Sequence, residues 1–96
     1  MYMDTTDVST TPYWIIDPGH GWLAVPLDTY PDALDHGTGY GYASPKWAYL
    51  EEDCEAGSFL RAHPEIDSRS IPVDILPGEW AGRQMGRIPD ARKAGV

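Results

Sequence analysis

The side chains that could do chemistry gather in two short runs. The first is Asp17-Pro18-Gly19-His20-Gly21, a carboxylate and an imidazole on either side of a Pro-Gly pair. An imidazole is the side chain best suited to bind a transition metal or to move a proton near neutral pH. The second is Glu51-Glu52-Asp53-Cys54-Glu55, four carboxylates around the only cysteine of the chain. A thiol in the first turn of a helix could serve as a nucleophile, but carboxylates crowd this one and no histidine partner follows from the spacing, so Cys54 reads as structural rather than nucleophilic. His20, His36, His63 and Cys54 lack the paired spacings of a structural zinc site. Gly37-Thr38-Gly39-Tyr40-Gly41 matches no phosphate-binding pattern. No catalytic residue, metal or cofactor is therefore expected.

What these residue types can do instead is bind. Glu51, Glu52 and Glu55 form a patch that would dock into a Lys/Arg-lined surface, while Asp53 reads as a helix N-cap. The plainer reading of the same acids is a helix N-terminus, where each stabilises by roughly 0.3–1 kcal/mol. The aromatics Tyr40, Tyr42, Trp47 and Tyr49 are a second candidate surface. A base-stacking platform would need a positive field, which the flanking acids deny, so they are expected in core packing or as anchors of a protein interface.

The elements that must hold these residues follow from pattern. Tyr13 to Ile16 and Trp22 to Val25 are strand-like runs around Asp17-Pro18-Gly19-His20, a turn in which Gly19 is expected to take φ > 0. Leu27 to Leu34 offers a helical turn weakened by Pro31. Tyr40 to Ala43 and Trp47 to Glu51 predict a second hairpin around Ser44-Pro45-Lys46. Setting Ala43 opposite Ala48 and Tyr42 opposite Tyr49 pairs Tyr40 with Glu51. Tyr40, Tyr42, Trp47 and Tyr49 then share one face, and Gly39, Gly41, Ala43, Ala48 and Leu50 the other. The small-residue face invites a helix, and Asp53 to His63 supplies one, with Ala56, Phe59, Leu60 and His63 at i, i+3, i+4, i+7 and Pro64 ending it. Ile71 to Leu76 holds Pro72 and reads as an edge strand. The expected fold is α+β: a small, mostly antiparallel sheet of two hairpins with one short packed helix. Residues 12–79 are expected to form the single domain, 1–11 a flexible N-terminus and 80–96 a basic tail without stable structure of its own.

Charge sharpens the functional classes. The chain carries fifteen acids and seven bases, net −8. Residues 1–79 hold fourteen acids and three bases, hence −11; residues 80–96 hold one acid and four bases, hence +3. An acidic body repels phosphates, so direct nucleic acid binding is not expected, and basic protein surfaces are the natural partners. There is no run near the ~20 apolar residues of a membrane span, and no secretion signal at Met1 to Thr11. One cysteine excludes an internal disulfide and fits a reducing cytoplasm.

Two resemblances add a setting. Ile15-Ile16-Asp17-Pro18-Gly19-His20-Gly21 resembles the opening motif of zinc-dependent N-acetylmuramoyl-L-alanine amidases, which would make His20 a zinc ligand. Trp22 stands where that family has a second Gly, and the family's further Glu and His positions have no match. A longer stretch is similar to small phage- and prophage-encoded proteins of unknown activity. It comprises Asp17 to Pro26, Tyr40-Gly41-Tyr42 and Tyr49-Leu50-Glu51-Glu52-Asp53-Cys54. That resemblance implies a genomic setting; by analogy with small acidic phage proteins that inhibit host defence, the chain is expected to be a non-enzymatic phage-type accessory protein acting in the host cytoplasm. It would bind and inhibit a host defence protein or nucleoprotein complex through its acidic surface, as anti-CRISPR proteins do. The alternatives are an amidase-like zinc hydrolase and a structural or regulatory phage protein without inhibitory activity.

Overall fold

The computed structural model describes residues 11–89, so the expectations for residues 1–10 and 90–96 lie outside the described residues. The organising element is a hairpin of β1 (Tyr13–Ile16) and β2 (Gly21–Pro26), paired from Tyr13↔Ala24 to Ile16↔Gly21. Its turn is closed from within. Asp17 N donates to His20 O at 2.9 Å, and Asp17 Oδ1 accepts from Gly19 N and His20 N at 2.9 and 2.8 Å. With a side chain satisfying both amides, the turn does not need a left-handed residue at Gly19. Among the described residues the left-handed glycine is Gly39, at φ 95°.

Around that hairpin lie β3 (Tyr42–Ala43), β4 (Trp47–Glu51), β5 (Val73–Ile75) and β6 (Gly86–Arg87). They form one sheet in the order β5-β1-β2-β4-β3-β6. Every pairing is antiparallel except β5 on β1, so the α+β class stands but the sheet is mixed and has six strands rather than two hairpins alone. In the second hairpin, Tyr42 does face Tyr49 and Ala43 faces Ala48. The ladder stops there: Tyr40 does not pair with Glu51. Instead the amides of Tyr40 and Gly41 point at the carboxylate of Glu55, which outcompetes the strand for them.

Strand alternation gives the sheet two unlike faces. On one, Leu23, Val25, Ala48 and Leu50 pack with Ala56 and Phe59 of helix α1 (Glu55–Ala62), with Ala33 from the 3-10 helix Pro31–His36, and with Ile71 and Ile88. On the other, Ile15, Trp22, Ala24, Tyr42 and Tyr49 pack with Tyr13, Trp47, Leu76, Trp80 and Met85. β2 is buried along its whole length because both faces and both edges are covered.

Four expectations are corrected. Pro31 does not weaken the turn but starts it, since a first-turn proline lacks only an N–H that would have no partner anyway. Asp53 does not cap α1. The N-cap is Cys54, without a side-chain bond, and its N–H donates to Glu51 Oε1 at 3.2 Å. The expected helix of Asp53 to His63 is accordingly shorter. Residues 80–89 are not a tail: Trp80 covers the aromatic face, Ala81–Gln84 form a 3-10 turn, β6 pairs with β3, and Ile88 lies in the core. Gly, Pro and charge obscured these anchors, each of which is a single large side chain in a polar stretch.

Candidate binding site

The acidic run divides into a structural and an accessible part. Glu55 begins α1 and is fully buried. Its Oε2 accepts from Thr38 N (2.6 Å), Thr38 Oγ1 (3.1 Å), Tyr40 N (3.3 Å) and Gly41 N (3.2 Å), and its Oε1 from Glu51 N (2.9 Å). Gly41 is required for this approach, because a Cβ there would collide with Glu55 Oε1 and with Tyr49 O. Glu55 is therefore withdrawn from the expected partner surface: its donors are backbone amides that burial would otherwise leave unsatisfied. Glu51 is half-buried and holds the start of the helix, while Glu52 and Asp53 are exposed.

The expected aromatic surface divides in the same way. Tyr42 and Tyr49 keep 7% and 8% exposure because Trp80 lies over them, with ring centroids at 5.8 and 4.8 Å. Trp80 also packs at 4.5 Å on Trp22. Trp47 is half-buried edge-to-face on Tyr13 at 5.5 Å. Burial pushes the Tyr13 and Tyr49 phenols above their ordinary pKa, so both stay neutral across the physiological range. Tyr40, 62% exposed, is the member that reaches solvent.

What the fold does bring together is a cleft of about 330 Å³ beside the β4–α1 junction, lined by His20, Trp22, Tyr40, Tyr42, Glu51, Asp53, Cys54 and Arg87. The Asp17–Gly21 turn delivers His20 onto Trp22, the two rings stacking at 5.7 Å. β6 delivers Arg87, whose guanidinium lies 5.0 Å from the centre of the Tyr42 ring and donates to Gly39 O at 3.2 Å. Of the expected site residues, the cleft unites Glu51, Tyr40 and Tyr42 and leaves Glu52, Glu55, Trp47 and Tyr49 outside. Sequence reasoning missed Trp22, Asp53 and Arg87. The parity of β2 does set Trp22 opposite Leu23 and Val25. However, its meeting with Tyr42 depends on β2–β4 pairing between two separate hairpins, and Arg87 sat in a stretch taken for a tail.

Elsewhere the 3-10 helix Pro31–His36 is tied to α1 by imidazoles. His63 Nε2 and Nδ1 meet Asp32 Oδ2 at 2.7 Å and Glu65 Oε2 at 2.9 Å; His36 Nδ1 meets Ser58 Oγ at 2.8 Å. The Asp32 bond, then the Glu65 bond, raise the pKa of His63. These contacts tie two elements together at a packed edge. Among the described residues no group of three or more His, Cys, Asp and Glu side chains could hold a metal ion, and His20 has no co-ligands of that kind. None of the helices described is long and apolar enough to cross a membrane. Comparisons with protein-family models, curated proteins and solved structures returned no match.

Proposed function

We propose that this protein is a non-enzymatic binding protein that docks its acidic surface onto a basic surface of a host protein or nucleoprotein complex and so blocks it. The observation that carries this reading is the division of the acidic run. Glu55 is spent on the fold, whereas Glu52 and Asp53 stand exposed beside a partly aromatic cleft in a chain of net charge −8. Acids that hold backbone amides together are accounted for; among the described residues Asp53 has no such use. Exposed carboxylates beside tyrosine and tryptophan steer and anchor a cationic partner. The resemblance to phage-encoded proteins supplies the setting, the host cytoplasm, and makes inhibition of a host defence complex of the anti-CRISPR type the most concrete version. The amidase-like alternative draws no support from His20, which stacks on Trp22 and is in no group of potential metal ligands among the described residues.

The test is capture from host lysate by wild type and by the Glu52→Lys/Asp53→Lys variant over a range of salt. The reading expects a specific protein retained by wild type at low salt, released as salt rises, and not retained by the variant. Equal retention by both chains at every salt concentration would refute it. Glu51 is left in place because it holds the amide of Cys54.

A further inference from the structure

Resting on that reading, we infer that the cleft beside the β4–α1 junction is a socket for a single cationic side chain of the partner, an arginine in preference to a lysine. Its volume of about 330 Å³ lies at the low end of small-ligand sites, which run to roughly 300–1,000 Å³ and enclose whole drug-sized molecules. A single side chain suits it better than a cofactor. Trp22 and Tyr42, buried under Trp80, form its back, and the 62% exposed ring of Tyr40 lines it with the carboxylates of Glu51 and Asp53 beside. A planar cation is the group that satisfies both at once, stacking on a ring while donating two parallel N–H bonds to a carboxylate. The molecule already uses this chemistry: the guanidinium of Arg87 lies over the Tyr42 ring. Arg87 thereby completes the wall and sets the polarity of the question. Two carboxylates and one guanidinium favour an incoming cation; an incoming phosphate or carboxylate would have to use Arg87 as its anchor.

The two polarities predict opposite effects of one substitution. The full chain is titrated with Nα-acetyl-arginine amide, Nα-acetyl-lysine amide and Nα-acetyl-glutamate amide while its amide and indole resonances are followed. The alkylation rate of Cys54, an exposed free thiol in the cleft wall, is measured in parallel. The arginine amide should give saturable shifts at Trp22, Tyr40 and Cys54 and slow the alkylation. The lysine amide should bind more weakly, and the glutamate amide should not saturate. Asp53→Asn, which breaks no bond among the described residues, should weaken arginine amide binding by roughly two- to five-fold, as expected for an exposed ion pair. Arg87→Gln, which keeps the stem and removes the charge, should tighten it. Loss of binding in Arg87→Gln, a preference for the glutamate amide, or no saturable shift with the arginine amide would each overturn the socket. The parent reading fails separately. If a long arginine-rich peptide binds with strong salt dependence while the single amide does not saturate, the acidic surface stands without the socket. If the amide saturates while the Glu52→Lys/Asp53→Lys variant retains the same lysate protein as wild type, the socket stands without the docking surface.

Discussion

Asp17 and Glu55, 5% and 0% exposed, are the two buried charged side chains among the described residues, and they do related work at different range. Glu55 gathers amides from residues 38, 40, 41 and 51, all within 17 positions of itself. Asp17 takes two amides of its own turn and then, through Oδ2, the amide of Trp80 at 2.9 Å, 63 positions away. One carboxylate closes a local loop under the helix; the other fastens a distant cover onto the aromatic face. Both lie in the runs that most suggested chemistry. A buried acceptor for several N–H groups is what a tight turn or a loop–helix junction needs. The residue types that mark an active site thus also mark these joints.

The comparison predicts that damage at Glu55 spreads through the frame and damage at Asp17 stays with the cover. Glu55→Ala leaves four backbone amides, that of Gly41 buried and the others part-buried, without their acceptor. It should cost on the order of 3–5 kcal/mol in urea unfolding, with Glu55→Gln losing less because one acceptor oxygen remains. Trp80→Ala removes the ring that touches Trp22, Tyr42 and Tyr49. Since Trp80 is only half-buried, its loss should cost about 2–3 kcal/mol, below the range for a fully buried aromatic. Asp17→Ala should cost about 1–3 kcal/mol. Its mark should be faster amide exchange at Gly19, His20 and Trp80, with Phe59 and the rest of α1 protected as in wild type. Exchange that quickens equally across α1 in the Asp17 variant would erase the distinction between frame and cover.

How far the sequence discloses this division depends on range. The first hairpin, the Tyr42–Tyr49 register and the helix on the small-residue face follow from alternation and turn chemistry within about twenty residues. The Asp17-Pro18-Gly19-His20 turn was legible for the same reason. Glu55 was not. Glutamate in a first helical turn normally faces water, and only the approach of Gly39-Tyr40-Gly41, set by tertiary packing, turns it inward. Trp80 and Ile88 were missed because a lone large side chain among Gly, Pro and Arg carries no period. The cleft inherits both failures, since its walls come from β2, the loop before β3, the β4–α1 junction and β6.

The smallest predicted effect lies at a third kind of ionic joint, one that is paired and near the surface. Both ring nitrogens of His63 face carboxylates, so both hydrogen bonds are made only by the imidazolium. The bond to Asp32, with that to Glu65, raises the His63 pKa above its ordinary 6.5. In return His63 holds the Glu65 carboxyl below 4.5. At Asp32 burial acts upward, but the bonds and charge of His63 outweigh it and leave the group below 3.8. The His63 contribution is therefore complete below pH 6.5 and is lost as pH rises through the elevated folded value. The carboxylate contributions are present above 4.5 and 3.8 and are lost as pH falls through the lowered ones. The joint is strongest between those limits. Salt and partial exposure of all three side chains keep its effect small. Urea midpoints at about pH 5.5 and about pH 8.5 for wild type and His63→Gln isolate it, because the carboxylates His63 perturbs, Asp32 and Glu65, titrate below that window. Wild type should lose more stability than the variant on going to the higher pH, and the difference should shrink in high salt. Parallel losses in the two chains would mean that His63 holds the 3-10 helix Pro31–His36 to α1 by ring packing on Tyr30 and Phe59, at 5.1 and 4.5 Å, rather than by charge.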